Sequence, residues 1–337
     1  MKNRGTGTGR HPARGVLLAA GALLAACAGR FLAVRGLDGA WLLGWPAPEV
    51  LDLRLGPILC ALAAGGALGA AGAVLQTLLR NPLASPFVLG ISSGAGAGVA
   101  LASVLAAVAG LAAPTGVALV LPATIGAFVA LSLVLGLSRR HGAVDPVTMV
   151  LAGVVVGTVA AALTMLAEAL LPPERRGIAA AWVLGRIPDV VPPGAWTACL
   201  LAAVGLTGLA AWRGRALDAS ALTDDEAASV GVSLGRLRLA MFAACGIASA
   251  ASVVLCGPIG FVGLLAPHLA RPLTGPRNGP LAMASALLGA ALLVAADAAR
   301  QWFDVQGGRL PIGALTAALG GIAFLVLLRR TAGGWIR

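Results

Sequence analysis

Apolar runs of about twenty residues recur from one end of this chain to the other, and no other feature restricts its fold as strongly. About twenty helical residues cross the hydrocarbon core of a bilayer. The runs fall at 15–34, 57–79, 87–110, 115–137, 147–170, 193–212, 237–256, 280–302 and 311–329. They are continuous rather than alternating, so a transmembrane barrel is excluded. Within lipid, only helices and closed barrels satisfy every backbone polar group. The expected fold is therefore all-α, a polytopic membrane protein. Composition agrees, with 59% hydrophobic and 11% charged residues, where a soluble domain carries about 25% charged.

The formal charge of +11 does not point to nucleic acid. The basic residues form short clusters between apolar runs instead of covering one soluble face. Such clusters orient a membrane protein, because cytoplasmic loops are enriched in Lys and Arg. Lys2, Arg4, Arg10 and Arg14 at one end and Arg329, Arg330 and Arg337 at the other place both termini in the cytoplasm. Two cytoplasmic termini require an even number of crossings, and the nine runs leave one to find. Arg139-Arg140-His141 and the segment from Arg213 to Arg238 both read as inside, with two spans between them, so the apolar piece at 178–187 is a short outer helix. Arg271 and Arg277 also read as inside. Only one long span separates them from Arg238. The stretch "CGPIGFVGLLAPHLAR" (256–271) is then a short, glycine-interrupted tenth crossing. Eight of the 24 basic residues fall outside in this layout: Arg30, Arg35, Arg54, Arg175, Arg176, Arg186, Arg300 and Arg309.

Several chemistries find no support. Lys2 is the sole lysine and no G-x-x-x-x-G-K-[ST] exists, so the chain is not its own P-loop ATPase. His11, His141 and His268 lack ligand spacing, and no metal site is expected. Gly90-Ile91-Ser92-Ser93-Gly94 matches G-x-S-x-G but opens a membrane helix, where small residues serve packing and capping; no catalytic residue is assigned. Leu24-Ala25-Ala26-Cys27 imitates a lipoprotein cleavage box, yet a retained first span fits a multi-span chain better. The five cysteines lie in or beside apolar runs without a C-x-x-C pair and read as small core residues. Glu168 and Asp297 sit toward the outer ends of their spans, Asp297 at i,i+3 spacing from Arg300. No acid lies clearly at mid-membrane, which counts against the rival reading of a secondary transporter working without an ATPase.

Glycine pairs Gly65/Gly69, Gly94/Gly98 and Gly153/Gly157 allow close helix approach. The segment "GALGAAGAVLQTLLRNPLASPFVLGISSGAGAG" (66–98) carries one amide, Gln76, and then breaks at Arg80-Asn81-Pro82, because proline disfavours helix at the residue before it. A tight cytoplasmic turn follows. In "LTDDEAASVGVSLGRLR" (222–238), Thr223 and Glu226 form a T-x-x-E capping box. Asp224, Asp225 and Glu226 sit at the positive end of the helix dipole, and Gly231 supplies a left-handed cap. A short, stiff, exposed cytoplasmic helix is expected there.

Four stretches in order, "GAVLQTLLRNPLASPFVLGISSGAGAG", "DDEAASVGVSLGRLR", "GPIGFVGLLAPHLAR" and "DAARQWFDVQGGRLPIGALTAALGGIAFLVLLRR", resemble the signatures of membrane-spanning permeases of type II ABC importers, which take up iron–siderophore complexes, haem and cobalamin. The resemblance covers residues 15 to 330. It implies ten spans in one permease domain, after a basic cytoplasmic N-terminus (1–14) and before a cytoplasmic tail (331–337), in a bacterial cytoplasmic membrane. It implies that the segment 213–238 carries the coupling helix for an ATPase, with Thr223, Asp224, Asp225, Glu226, Ala227 and Gly231 as its residues. The implied partners are a second permease subunit, identical or paralogous, two ATP-binding subunits that hold ATP and Mg, an extracytoplasmic substrate-binding protein, and membrane lipid. This chain then needs no cofactor of its own. Relatives often carry Arg-x-Pro-Arg before the second span, where this chain has Arg54-Leu55-Gly56-Pro57. Arg54 remains as a candidate for binding-protein docking, with Arg300 and Arg309. Gln76, Asn81, Pro82, Ser92 and Ser93 are the candidates for the translocation path or its gating turn. The cargo stays open among ferric siderophore, haem and cobalamin.

Overall fold

The computed structural model describes residues 12–35, 41–140, 143–188, 193–301 and 310–335. Thirteen helices are described within them. The first seven are α1 (Pro12–Leu32), α2 (Leu51–Leu78), α3 (Ile91–Val108), α4 (Val120–Leu137), α5 (Pro146–Leu170), α6 (Ile178–Val183) and α7 (Pro193–Trp212). Then come α8 (Gly214–Ala219), α9 (Asp224–Ser229), α10 (Leu234–Cys256), α11 (Val262–Thr274), α12 (Asn278–Arg300) and α13 (Ile312–Trp335). Two small antiparallel ribbons accompany them, β1 (Ala33–Arg35) with β2 (Trp41–Leu43) and β3 (Arg139–Arg140) with β4 (Ala143–Val144).

Eight of these helices are long and apolar enough to cross a membrane. The other candidates are α13 and the 13-residue α11. A helix of that length rises only about 20 Å, short of the ~30 Å core. The irregular stretch 257–261, with Gly257 and Gly260, lies directly before α11. Non-helical backbone at membrane depth is tolerated where protein covers it, and Gly257, Pro258 and Ile259 are buried. The end of α6 does the covering: Arg186 N donates to Cys256 O (2.7 Å), and a Cβ at Gly257 would press on Trp182 O.

Helix α2 is the hub. It packs against α12, α10, α7 and α11, and nearly every residue from Pro57 to Leu78 is buried. A helix apolar on all sides belongs in such a place. It begins six residues before the apolar run does, because Asp52 and Arg54 extend the helix beyond the greasy segment that marks it in the sequence. By contrast α3, α4 and α5 expose Leu101, Leu105, Leu121, Ile125, Val129, Leu133, Leu151, Val155 and Leu166. Exposed apolar bands of this extent suit lipid, not water.

Glycine sets the helix spacing. A Cβ at Gly65 or Gly69 would collide with the Gly289 or Ser285 carbonyl oxygen of α12, and Gly94 and Gly98 meet Gly126 and Pro122 of α4 in the same way. Gly153 and Gly157 face Gly90. All three small-residue pairs therefore mark close backbone approach.

Candidate functional site

The connection between α7 and α10 holds α8 and the short, mostly exposed helix α9. Thr223 is the N-cap of α9: its Oγ1 accepts from Glu226 N (3.3 Å), and the Glu226 carboxylate accepts from Thr223 N (2.9 Å) and Oγ1 (2.9 Å). Both halves of the capping box are present. At the other end Gly231 adopts φ +79°, its N donates to Ala228 O, and Val232 N donates to Ala227 O. That pair of bonds is the Schellman closure. Six residues would not hold a helix in water by propensity; capped ends and one seated face hold this one. The seat is Ala227, fully buried, while Asp225, Glu226, Ala228 and Ser229 are exposed. Ala227, named among the coupling-helix residues, is the one that seats the helix on the body of the protein.

Two measurements follow from the cap. Thr223→Ala should remove about 1 kcal/mol and speed amide exchange across α9 roughly fivefold at that energy. The amide and hydroxyl of Thr223 hold the Glu226 carboxyl below its ordinary value of 4.5. A depressed carboxylate stabilises the fold fully above that ordinary value, and the contribution is lost as pH falls through the lower folded one. Exchange protection of α9, corrected for intrinsic rates, should therefore be level from neutral pH down to 4.5 and decline only below it.

The turn after α2 forms as expected. Asn81 Oδ1 accepts from Leu83 N (2.9 Å), and Ala84 N donates to Asn81 O (3.0 Å); Asn81 and Pro82 are exposed. Gln76 is held between two helices. It is buried, its Nε2 donates to Leu264 O (3.4 Å), and its Oε1 accepts from Arg271 Nη2 (3.1 Å), so it joins α2 to α11. Ser92 and Ser93 are half-buried at the start of α3, and Ser93 Oγ would lie 3.7 Å from a Cβ at Gly157 on α5. A cavity of about 510 Å³ lies elsewhere, between the 257–261 stretch, α6 and α13. Ser85, Phe87, Leu184, Phe261, Leu264 and Ala317 line it. A second cavity, about 650 Å³, lies among α4, α7 and α10. None of the five path candidates lines either one.

At the opposite end of the helices, the candidate docking arginines are engaged within the chain. Arg54 Nη1 donates to Phe31 O (3.2 Å) near the end of α1 and to Ala33 O (2.6 Å) at the start of β1. Arg300 is only 3% exposed; its Nε pairs with Asp297 Oδ1 (2.6 Å) and its Nη2 donates to Ile187 O (3.2 Å). Asp297, fully buried, also takes Arg30 Nε on Oδ2 (2.6 Å). The i,i+3 pair read from the sequence is thus part of a triad that binds α1 to α12, and Arg30 was its unseen member. Arg309 lies outside the described residues.

Comparison with known proteins bears on what this arrangement serves. The profile of the FecCD transport family matches residues 16–330. This chain belongs to the FecCD transport family. Among FecCD relatives, the ferric enterobactin transport system permease protein FepG of Escherichia coli (strain K12) is 37% identical over 286 residues, covering 83% of this chain and 82% of that one. The cobalamin import system permease protein BtuC of Halobacterium salinarum is 34% identical over 281 residues, covering 82% of this chain and 72% of that one. A solved metal-chelate type ABC transporter in an inward-facing conformation has the same fold, with a TM-score of 0.80 at 24% identity over 94% of this chain and 99% of that one. The FecCD match runs from within α1 to within α13, the α8–α9 connection included.

Proposed function

We propose that this chain is the permease subunit of an ABC importer that carries an iron–siderophore complex across the cytoplasmic membrane. The observation that carries the reading is α9, a doubly capped acidic helix seated on the body of a FecCD chain with its charged face in water. Such a helix suits a groove on a separate ATP-binding subunit, which would hold the ATP and Mg. Two permeases, identical or paralogous, would line one path, and two ATP-binding subunits would drive it between inward and outward access. A binding protein would deliver cargo on the other side. The iron–siderophore assignment, ahead of haem or cobalamin, is supported by the likeness to FepG. The membrane subunit itself would perform no covalent chemistry. With ten crossings, both termini and α9 lie in the cytoplasm.

Orientation is the first test. A Ser229→Cys variant, with half-buried Cys27 replaced by Ser, should react with a membrane-impermeant maleimide in inside-out vesicles and stay unlabelled in right-side-out ones. The reverse pattern would overturn the reading.

A further inference from the structure

Helix α2 ends in the same closure as α9, but with an arginine where α9 has a glycine. Arg80 N donates to Thr77 O (3.2 Å) and Asn81 N to Gln76 O (3.2 Å), and Arg80 itself adopts φ +48°. The left-handed position of this motif is ordinarily glycine's, since any Cβ there is strained. Among the described residues only Arg80 and Phe261 are non-glycine residues at positive φ. Arg80 is exposed, so no packing requirement selects a large side chain. Strain of this kind persists where the side chain is needed.

The side chain reaches across to the segment that feeds α9. Its Nε and Nη2 donate to Ser220 O (3.1 and 2.8 Å), and Nη2 also donates to Leu222 O. Leu222 is followed directly by Thr223, the N-cap. A planar guanidinium fork holds two carbonyls in fixed relation, which a lysine does not. A second connection runs beside it. Thr77 Oγ1 donates to Asn278 Oδ1 (2.7 Å), and Asn278 N and Nδ2 donate to Asp218 Oδ1 (2.9 and 2.8 Å). The end of α2, the start of α12 and the α8–α9 segment are thereby joined through side chains far apart in sequence.

We propose that Arg80 is a positioning residue that makes the end of α2 and the base of α9 one rigid unit, so that a push on α9 reaches the central helix. The transmission role rests on the reading of α9 as an ATPase-docking helix; the tie itself does not. Arg80→Gly separates the two functions of this position, because glycine keeps and relaxes the turn while deleting the fork.

Nitroxide labels on Leu83→Cys and Ser229→Cys, in full-length chain lacking Cys27 and reconstituted in lipid nanodiscs, report the distance across the tie. The native chain should give one narrow distance distribution. Arg80→Gly should broaden it about twofold while leaving the thermal midpoint unchanged or higher. Arg80→Lys, which offers one donor head to the same carbonyls, should recover part of the narrowing. In the complex with the ATP-binding subunit, ATP should leave the native distance unchanged and shift it in Arg80→Gly, with the subunit still bound. A distribution as narrow in Arg80→Gly as in the native chain overturns the tie. A native distance that shifts with ATP overturns the transmission role. Failure of the ATP-binding subunit to bind the native chain overturns the docking reading instead, and the nanodisc measurement on the chain alone still decides the tie.

Discussion

Asp297→Ala should cost about 3–5 kcal/mol of stability, the largest effect of any single substitution considered for this chain. The carboxylate is fully buried and takes Arg30 and Arg300, themselves 2% and 3% exposed. Its removal strands two guanidinium groups of like charge away from water. Residual acceptors, the Ile187 carbonyl and the Gln301 carboxamide in the orientation that faces its oxygen to Arg30, are neutral and do not replace the charge. Detergent-solubilised Asp297→Ala should unfold at a markedly lower temperature than native protein. The origin of the loss is separable from packing. Arg30→Met, Asp297→Leu and Arg300→Met combined should recover most of the deficit, because an ion cluster replaced as a whole by apolar groups of similar size is near neutral. A triple variant as unstable as Asp297→Ala would place the effect in shape, not charge.

The second large effect is on assembly. On the docking reading, Asp224→Lys with Asp225→Lys should weaken association with the ATP-binding subunit at least about 100-fold, since reversing the charge of a face that meets a complementary one costs several kcal/mol. Glu226 is left in place deliberately, because its carboxylate belongs to the cap, and amide exchange should confirm that α9 still forms. Titration of the purified ATP-binding subunit onto the reconstituted permease reads the change directly. Raising the salt concentration should weaken the native complex and narrow the gap between the two, as expected for a contact whose charges are screened.

Local features were legible in the sequence and distant pairings were not. The caps of α9 need only Thr223, Glu226 and Gly231, three residues within nine positions, and every bond they make is to a residue close by in the chain. The break before α11 was marked by Gly257 and Gly260 beside Pro258, and Gly257 takes a positive φ there. Close helix contacts were marked by glycine pairs, because a missing Cβ has the same consequence on any helix face. Asp297 was paired in the sequence with Arg300 three residues on, but its partner Arg30 lies 267 positions away. Gln76, read as a path candidate, has Arg271 as its partner at a separation of 195, a link no local pattern shows. Ala227 was read with its neighbours as a coupling-helix residue, with no face assigned to it. Which side of a six-residue helix is seated depends on what lies beneath, and tertiary packing alone decides that. The docking role read for Arg54 and Arg300 came from resemblance; the structure adds that both first serve the ends of α1 and α12. Arg80 was taken as part of a helix-stopping tripeptide, since nothing in an arginine announces a left-handed backbone.

The central claim is that this chain moves cargo only as the membrane half of a nucleotide-driven machine. Uptake of a radiolabelled ferric siderophore into proteoliposomes, with and without the ATP-binding subunit and enclosed ATP, tests it most directly. Uptake should require both and disappear with a hydrolysis-deficient ATP-binding subunit. Accumulation by the permease chain alone, driven by an ion gradient and indifferent to ATP, would contradict the account.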